Sequence, residues 1–244
     1  MVINLLIICL RSFVDGSYSK EWALKLDVPI ISIDYSLAPE AVFPRAVEEV
    51  FFVYCWALQN AERVGSTGEN IVLVGDSAGA NLITSCVIKC IEMGIPKPKG
   101  MLNIYAAFEV NYAAVPSRFL GLMDVILPYK THMRLFNAYT GVEKTPTPVT
   151  KNREIPKPPE DEFAHPIPQH HHLSPYLAPD DVLKNFPKTI ILSTIIDSCL
   201  DECVEFAKKL KKLDVDVSLD VLEGLNHGFL NFAQVTINNS LKAN

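Results

Sequence analysis

Gly75-Asp76-Ser77-Ala78-Gly79 has the form G-x-S-x-G, and it stands between an apolar run, Ile71–Val74, and a helix-period segment beginning near Asn81. A serine on so sharp a strand-to-helix turn needs near-absent side chains beside it, which Gly75 and Gly79 supply. Its hydroxyl is then exposed at the tip of a strand. The helix behind it aims free N–H groups and a positive dipole end at the same point, and the N–H of Ala78 is placed to receive the oxyanion of an acyl-transfer intermediate. Ser77 is therefore the candidate nucleophile and Ala78 the candidate oxyanion donor.

A serine hydroxyl attacks only when a base takes its proton, and for a nucleophile on such an elbow the chain order is serine, acid, histidine. All six histidines follow Ser77. An acid at the tip of a later strand selects Asp197, after the run Thr189–Thr194, and only His227 lies downstream of it. Asp201 is the rival acid, but it falls where a helix should begin and reads as a first-turn residue. His227 follows the run Val217–Leu222, so all three candidates sit at carboxyl ends of strands, the edge where open α/β sheets bind ligands.

The elements that must position them read as a parallel sheet with helices on both faces, because short β-branched runs alternate with helix-period segments. The runs are Pro29–Ile33, Ile71–Val74, Met101–Ala106, Thr189–Thr194 and Val217–Leu222, and the opening MVINLLIICL reads as a further buried strand. The helices are Ala46–Leu58 behind Pro44, Asn81–Met93 ending at Gly94, and Asp201–Leu213. With 244 residues, 49% of them hydrophobic, the chain fits one α/β domain over residues 1–244. Seven prolines crowd Glu143–Gln169, where neither helix nor ladder can propagate; a surface insert is expected there.

A net charge of −6 without a Lys/Arg run excludes an electrostatic footprint for nucleic acid or anionic membrane. The opening ten apolar residues are too few to span a bilayer, so no transmembrane segment is expected. The six cysteines read as reduced, packed thiols, and the pairs Cys86/Cys90 and Cys199/Cys203 lack partners at metal-ligand spacing. His165 and the run His170-His171-His172 invite a zinc reading, yet their place in the Pro-rich stretch favours a flexible solvated loop. Neither metal nor cofactor is expected. Asn238-Asn239-Ser240 matches a glycosylation acceptor, which has meaning only in a secreted protein.

The chain resembles the hormone-sensitive lipase family of α/β hydrolases from about Lys20 to Phe232. The resemblance is carried by PIISIDYSLAPEAVFPRAVEEVFFVYCW from Pro29, GDSAGANL from Gly75, SRFLGLMDVILP from Ser117, LSPYLAPD from Leu173 and LNHGFL from Leu225. It implies the α/β-hydrolase fold, entered part-way at the N-terminus, and maps the family's nucleophile, acid and base onto Ser77, Asp197 and His227. It also implies hydrolysis of acylglycerols, cholesteryl esters and other hydrophobic esters, in the cytosol or at the lipid-droplet surface. The chain departs from the family in four places. No accessory N-terminal domain is expected, and the phosphorylated module between nucleophile and acid is expected to be shrunk to the Pro-rich stretch. Ala80 replaces a second glycine after the elbow, and the chain ends soon after His227. Most consequential is the His-Gly-Gly-Gly loop expected before the Pro29 strand, where Arg11-Ser12-Phe13-Val14-Asp15-Gly16 stands instead. That loop gives further N–H donors to the oxyanion, so the chain as written is expected to be a poor esterase. Two other readings stay open: a catalytically impaired hydrolase-fold protein that binds a lipid or partner, and a small arylester or amide hydrolase.

Overall fold

The computed structural model describes residues 5–9, 17–124, 126–141 and 167–232. Most of the Pro-rich stretch, the segment Arg11–Gly16, His165 and the sequon at Asn238 lie outside these. Six strands, β1 (Leu5–Cys9), β2 (Ile30–Ser32), β3 (Ile71–Asp76), β4 (Gly100–Ile104), β5 (Lys188–Ile196) and β6 (Val217–Asn226), form one sheet in the order β2-β1-β3-β4-β5-β6. Every pairing is parallel.

The strands read as unbroken apolar runs because both faces are covered. Leu5, Ile7 and Cys9 of β1 and Ile71 and Leu73 of β3 point into one core, while Leu6, Ile8, Val72 and Val74 point into a second on the opposite face. The larger core is roofed by the helices α2 (Arg45–Asn60), α3 (Ala78–Glu92) and α7 (Leu200–Lys212). Their faces follow from spacing: α2 buries Ala46, Val47, Val50, Tyr54 and Ala57, and α7 buries Cys203, Phe206, Ala207 and Leu210. Central α3 is buried almost all round, from Gly79 through Ile88. Trp22, from the helix α1 (Ser17–Leu26), and Phe229 cover the second core. All six cysteines are free, and five are buried.

Four helices were not expected from the sequence: α1, α4 (Pro116–Leu120), α5 (Tyr129–Thr140) and α6 (Asp180–Leu183). Two of them, α4 and α6, are a turn or so long, too short to show a period. The other two mix apolar and polar residues about equally, but α5 buries His132, Met133, Phe136 and Asn137 on one stripe and ends at left-handed Gly141. The start of α4 is locked to α7 by a buried ion pair. Arg118 Nη2 lies 2.6 Å from Glu202 Oε1, Arg118 Nη1 donates to Asn111 Oδ1 and to the Ala113 carbonyl, and Glu202 Oε2 accepts the Glu109 N–H.

Candidate active site

Strand β3 runs directly into α3 through Ser77, whose φ of 51° and ψ of −120° are a strained combination for a residue with a Cβ. The strain is held by the surroundings. The Ser77 N–H donates to the carbonyl of Ile104 at 2.9 Å, and the Ser77 carbonyl accepts from Ala80 and Asn81. Glycine on either side is a steric requirement: a Cβ at Gly75 would come within 2.5 Å of the Gly79 backbone, and one at Gly79 within 1.7 Å of the Cys9 carbonyl oxygen. The elbow is thus built against the end of β1.

Ser77 Oγ stands 2.8 Å from His227 Nε2, and His227 Nδ1 stands 3.1 Å from both carboxylate oxygens of Asp197. Asp197 follows β5 and His227 follows β6, so the loops after β3, β5 and β6 at the carboxyl edge bring together residues up to 150 positions apart. Asp197 is fully buried, and its Oδ1 accepts the N–H of Cys199 at 2.7 Å. The rival acid is occupied elsewhere. Asp201 lies in the first turn of α7, where its carboxylate accepts the Ser117 N–H at 2.8 Å and caps the start of α4.

Burial lowers the affinity of His227 for a proton, but the charge and hydrogen bond of Asp197, with Asp124 and Asp76 behind it, outweigh this and hold its pKa above the ordinary 6.5. His132 behaves oppositely. Burial, helped by the charges of His227 and Arg118, pushes it down to about 3, so it stays neutral and pairs with Ser198 Oγ at 2.8 Å.

Three residues around the imidazole had no role in the sequence reading. Asp124 accepts the backbone N–H of His227 at 3.3 Å through Oδ2, while its Oδ1 accepts those of Ile126 and Leu127. Tyr105 lays its ring against that of His227, with centroids 4.7 Å apart, and donates its hydroxyl to Asp76 at 2.9 Å. Asp124 carries the local signal of an Asx turn, a carboxylate followed two residues on by a bonded N–H. Its reach to His227, 103 positions away, has none.

Beside Ser77 an apolar cleft of about 240 Å³ opens, walled by Tyr35, Leu127, Leu135, Phe136 and Tyr139, with exposed Ala78 at its end. Asp197, Cys199 and His227 bring potential metal-ligand atoms within 4.8 Å of one another. They make a poor metal set: burial and the neighbouring Asp197 and Glu202 hold the Cys199 thiol protonated, well above its usual range, and the imidazole is already paired. The expected solvated loop at His170–His172 is open to solvent but is a turn fastened to α3, with His171 and His172 each paired to Glu92.

The chain matches the family described as alpha/beta hydrolase fold over residues 13–231. It is 50% identical over 138 residues to a hormone-sensitive lipase of Ictidomys tridecemlineatus, covering 57% of this chain but 18% of the relative's length. Arylacetamide deacetylase of Mus musculus is 29% identical over 277 residues, with 96% of this chain and 69% of the relative covered. An esterase of Pyrobaculum calidifontis superposes with a TM-score of 0.77 at 25% identity, covering 96% of this chain and 71% of that one.

Proposed function

Because the chain belongs to the alpha/beta hydrolase fold family, we propose that it is a serine carboxylic-ester hydrolase acting on hydrophobic esters through Ser77, His227 and Asp197. The reading is carried by one observation: the unbroken contact from Ser77 Oγ to His227 Nε2 and from His227 Nδ1 to Asp197, at the end of an apolar cleft. His227 takes the Ser77 proton as Oγ attacks the ester carbonyl, and Asp197 holds the ring in the right tautomer and stabilises the imidazolium. The Ala78 N–H, at the start of α3, receives the developing oxyanion. Collapse expels the alcohol, protonated by His227, and water then releases the acid from Ser77 by the reverse use of the same base.

Substrate class rests on the cleft walls and on the relatives. An apolar cleft favours an acyl chain, and likeness to hormone-sensitive lipases supports acylglycerols and cholesteryl esters. On the same likeness we place the protein in the cytosol and at lipid-droplet surfaces. No helix among the described residues is long and apolar enough to cross a membrane. Phe119, Leu120, Leu122, Met123 and Ile126, with Leu135 of α5 at the cleft wall, are exposed apolar side chains, a surface suited to an apolar lipid phase.

Hydrolysis of p-nitrophenyl butyrate tests the assignment. Ser77→Ala and His227→Ala are expected to lose activity, and Asp197→Asn to lose about 10⁴ in turnover. Asp201→Asn should keep it. A fully active Asp197→Asn protein beside an inactive Asp201→Asn one contradicts the assignment of the acid.

A further inference from the structure

Well away from Ser77, at the C-terminal end of α3, three metal-ligating side chains converge. Glu92 Oε1 lies 2.7 Å from His171 Nε2, and Glu92 Oε2 lies 2.8 Å from His172 Nε2. We propose that Glu92, His171 and His172 form a binding site for a divalent transition-metal ion of the zinc class. The inference rests on nothing in the ester-hydrolase reading.

Geometry comes first. The three ligand atoms lie within 4.8 Å of one another, and all three side chains are partly open to solvent, so an ion can enter and keep water in its remaining positions. Zinc bonds of about 2.0–2.1 Å in a tetrahedral set separate neighbouring ligand atoms by about 3.3 Å, so each imidazole need retreat from the carboxylate by only about half an ångström. The ring proton now facing Glu92 moves to Nδ1 or leaves to solvent, freeing the Nε2 lone pair for the metal.

The ligands come from segments 80 positions apart, and the scaffold that joins them is rigid. Asn81, Ser85 and Glu92 fall on one stripe of α3, because offsets of four and eleven residues return to nearly the same angle at about 100° per residue. Each of them grips the turn that carries the histidines. Asn81 Nδ2 donates to the Leu173 carbonyl at 2.9 Å, Ser85 Oγ to the His172 carbonyl at 2.8 Å, and Glu92 pairs with the two rings. His170 adds orientation, since its Nδ1 accepts the His172 N–H at 3.0 Å and its carbonyl accepts from Leu173 and Ser174. Ligands fixed by such outer bonds bind metal without first being ordered. Chemistry then selects the ion: two imidazoles and one carboxylate suit zinc, copper or nickel, whereas calcium and magnesium require oxygen sets. A bound ion would clamp the His170–Leu173 turn to α3, the helix that also carries the candidate nucleophile at its other end.

Titration of Zn²⁺ into the full chain by calorimetry, with thermal unfolding and zinc K-edge absorption on the same samples, tests the proposal. The wild-type chain is expected to take up one equivalent, to melt at higher temperature when loaded, and to show an edge spectrum of nitrogen and oxygen ligands with two imidazoles. The His171→Gln/His172→Gln protein, its fold verified by circular dichroism, should lose that equivalent and the rise in melting temperature. Absence of binding in the folded wild-type chain overturns the site. So does uptake undiminished in the double variant, or an edge spectrum with a sulfur ligand, which would place the ion at Cys199 instead.

Discussion

Under the proposed mechanism, the pKa of His227 determines the pH range over which Ser77 can work. Hydrolysis requires the neutral imidazole, and the neutral fraction falls as pH drops through its pKa, which Asp197, Asp124 and Asp76 hold above 6.5 against the effect of burial. Activity should therefore fade on acidification at a higher pH than an ordinary histidine would give. Asp124 adds both charge and position, since it holds the His227 N–H. In Asp124→Asn the acid limb of the kcat/KM profile should move to lower pH and turnover should fall. An unmoved limb would remove Asp124 from the electrostatics of the site. The convergence of Ser77, Asp197 and His227 was legible in sequence because a strand-loop position and a chain order constrain each of them. Asp124, Tyr105 and Asp76 were not, since their partners lie across the fold and only packing puts them beside one imidazole.

Elements were legible in proportion to their periodicity. All five interior runs fall on strands, and the opening apolar residues form β1, because strands buried on both faces leave an unbroken apolar record. Helices α2, α3 and α7 were legible for the opposite reason, each having a clear period or glycine stop. The fastening of the His170–His172 turn to α3 was not legible, because the grip of Asn81, Ser85 and Glu92 has no local trace. The register of β1 with β3, Cys9 opposite Gly75, brings the end of β1 to the elbow, and residues 10–16, which continue from it, contain one glycine. A supply of backbone donors to the oxyanion needs closer backbone approach than such a sequence favours. Replacing Arg11–Ser12–Phe13–Val14 by His-Gly-Gly-Gly is expected to raise turnover on p-nitrophenyl butyrate by about 10²–10³, the usual effect of an oxyanion donor. Equal rates in the two proteins would show that the chain already has its donors.

At the scale of the whole molecule, a net charge of −6 leaves apolar contact as the means of meeting a lipid phase. Phe119 and Leu122, 63% and 66% exposed, stand in the segment that also supplies Asp124. Changing both to Glu should weaken binding to phospholipid-coated triolein emulsion by about ten-fold or more, as expected when two apolar side chains can no longer be buried there. Hydrolysis of a soluble butyrate ester should persist. Equal emulsion binding by wild type and variant would assign the contact to another surface.

The central claim is that Ser77 is a serine activated by His227 and Asp197, and covalent labelling by a fluorophosphonate tests it most directly. Such a phosphorus centre is attacked by a serine only when a base accepts its proton and nearby donors receive the developing charge. The folded chain should take up one label per molecule, mapped by peptide mass spectrometry to Ser77, and Ser77→Ala should take up none. Labelling that survives Ser77→Ala, or a folded wild-type chain that stays unlabelled, contradicts the account.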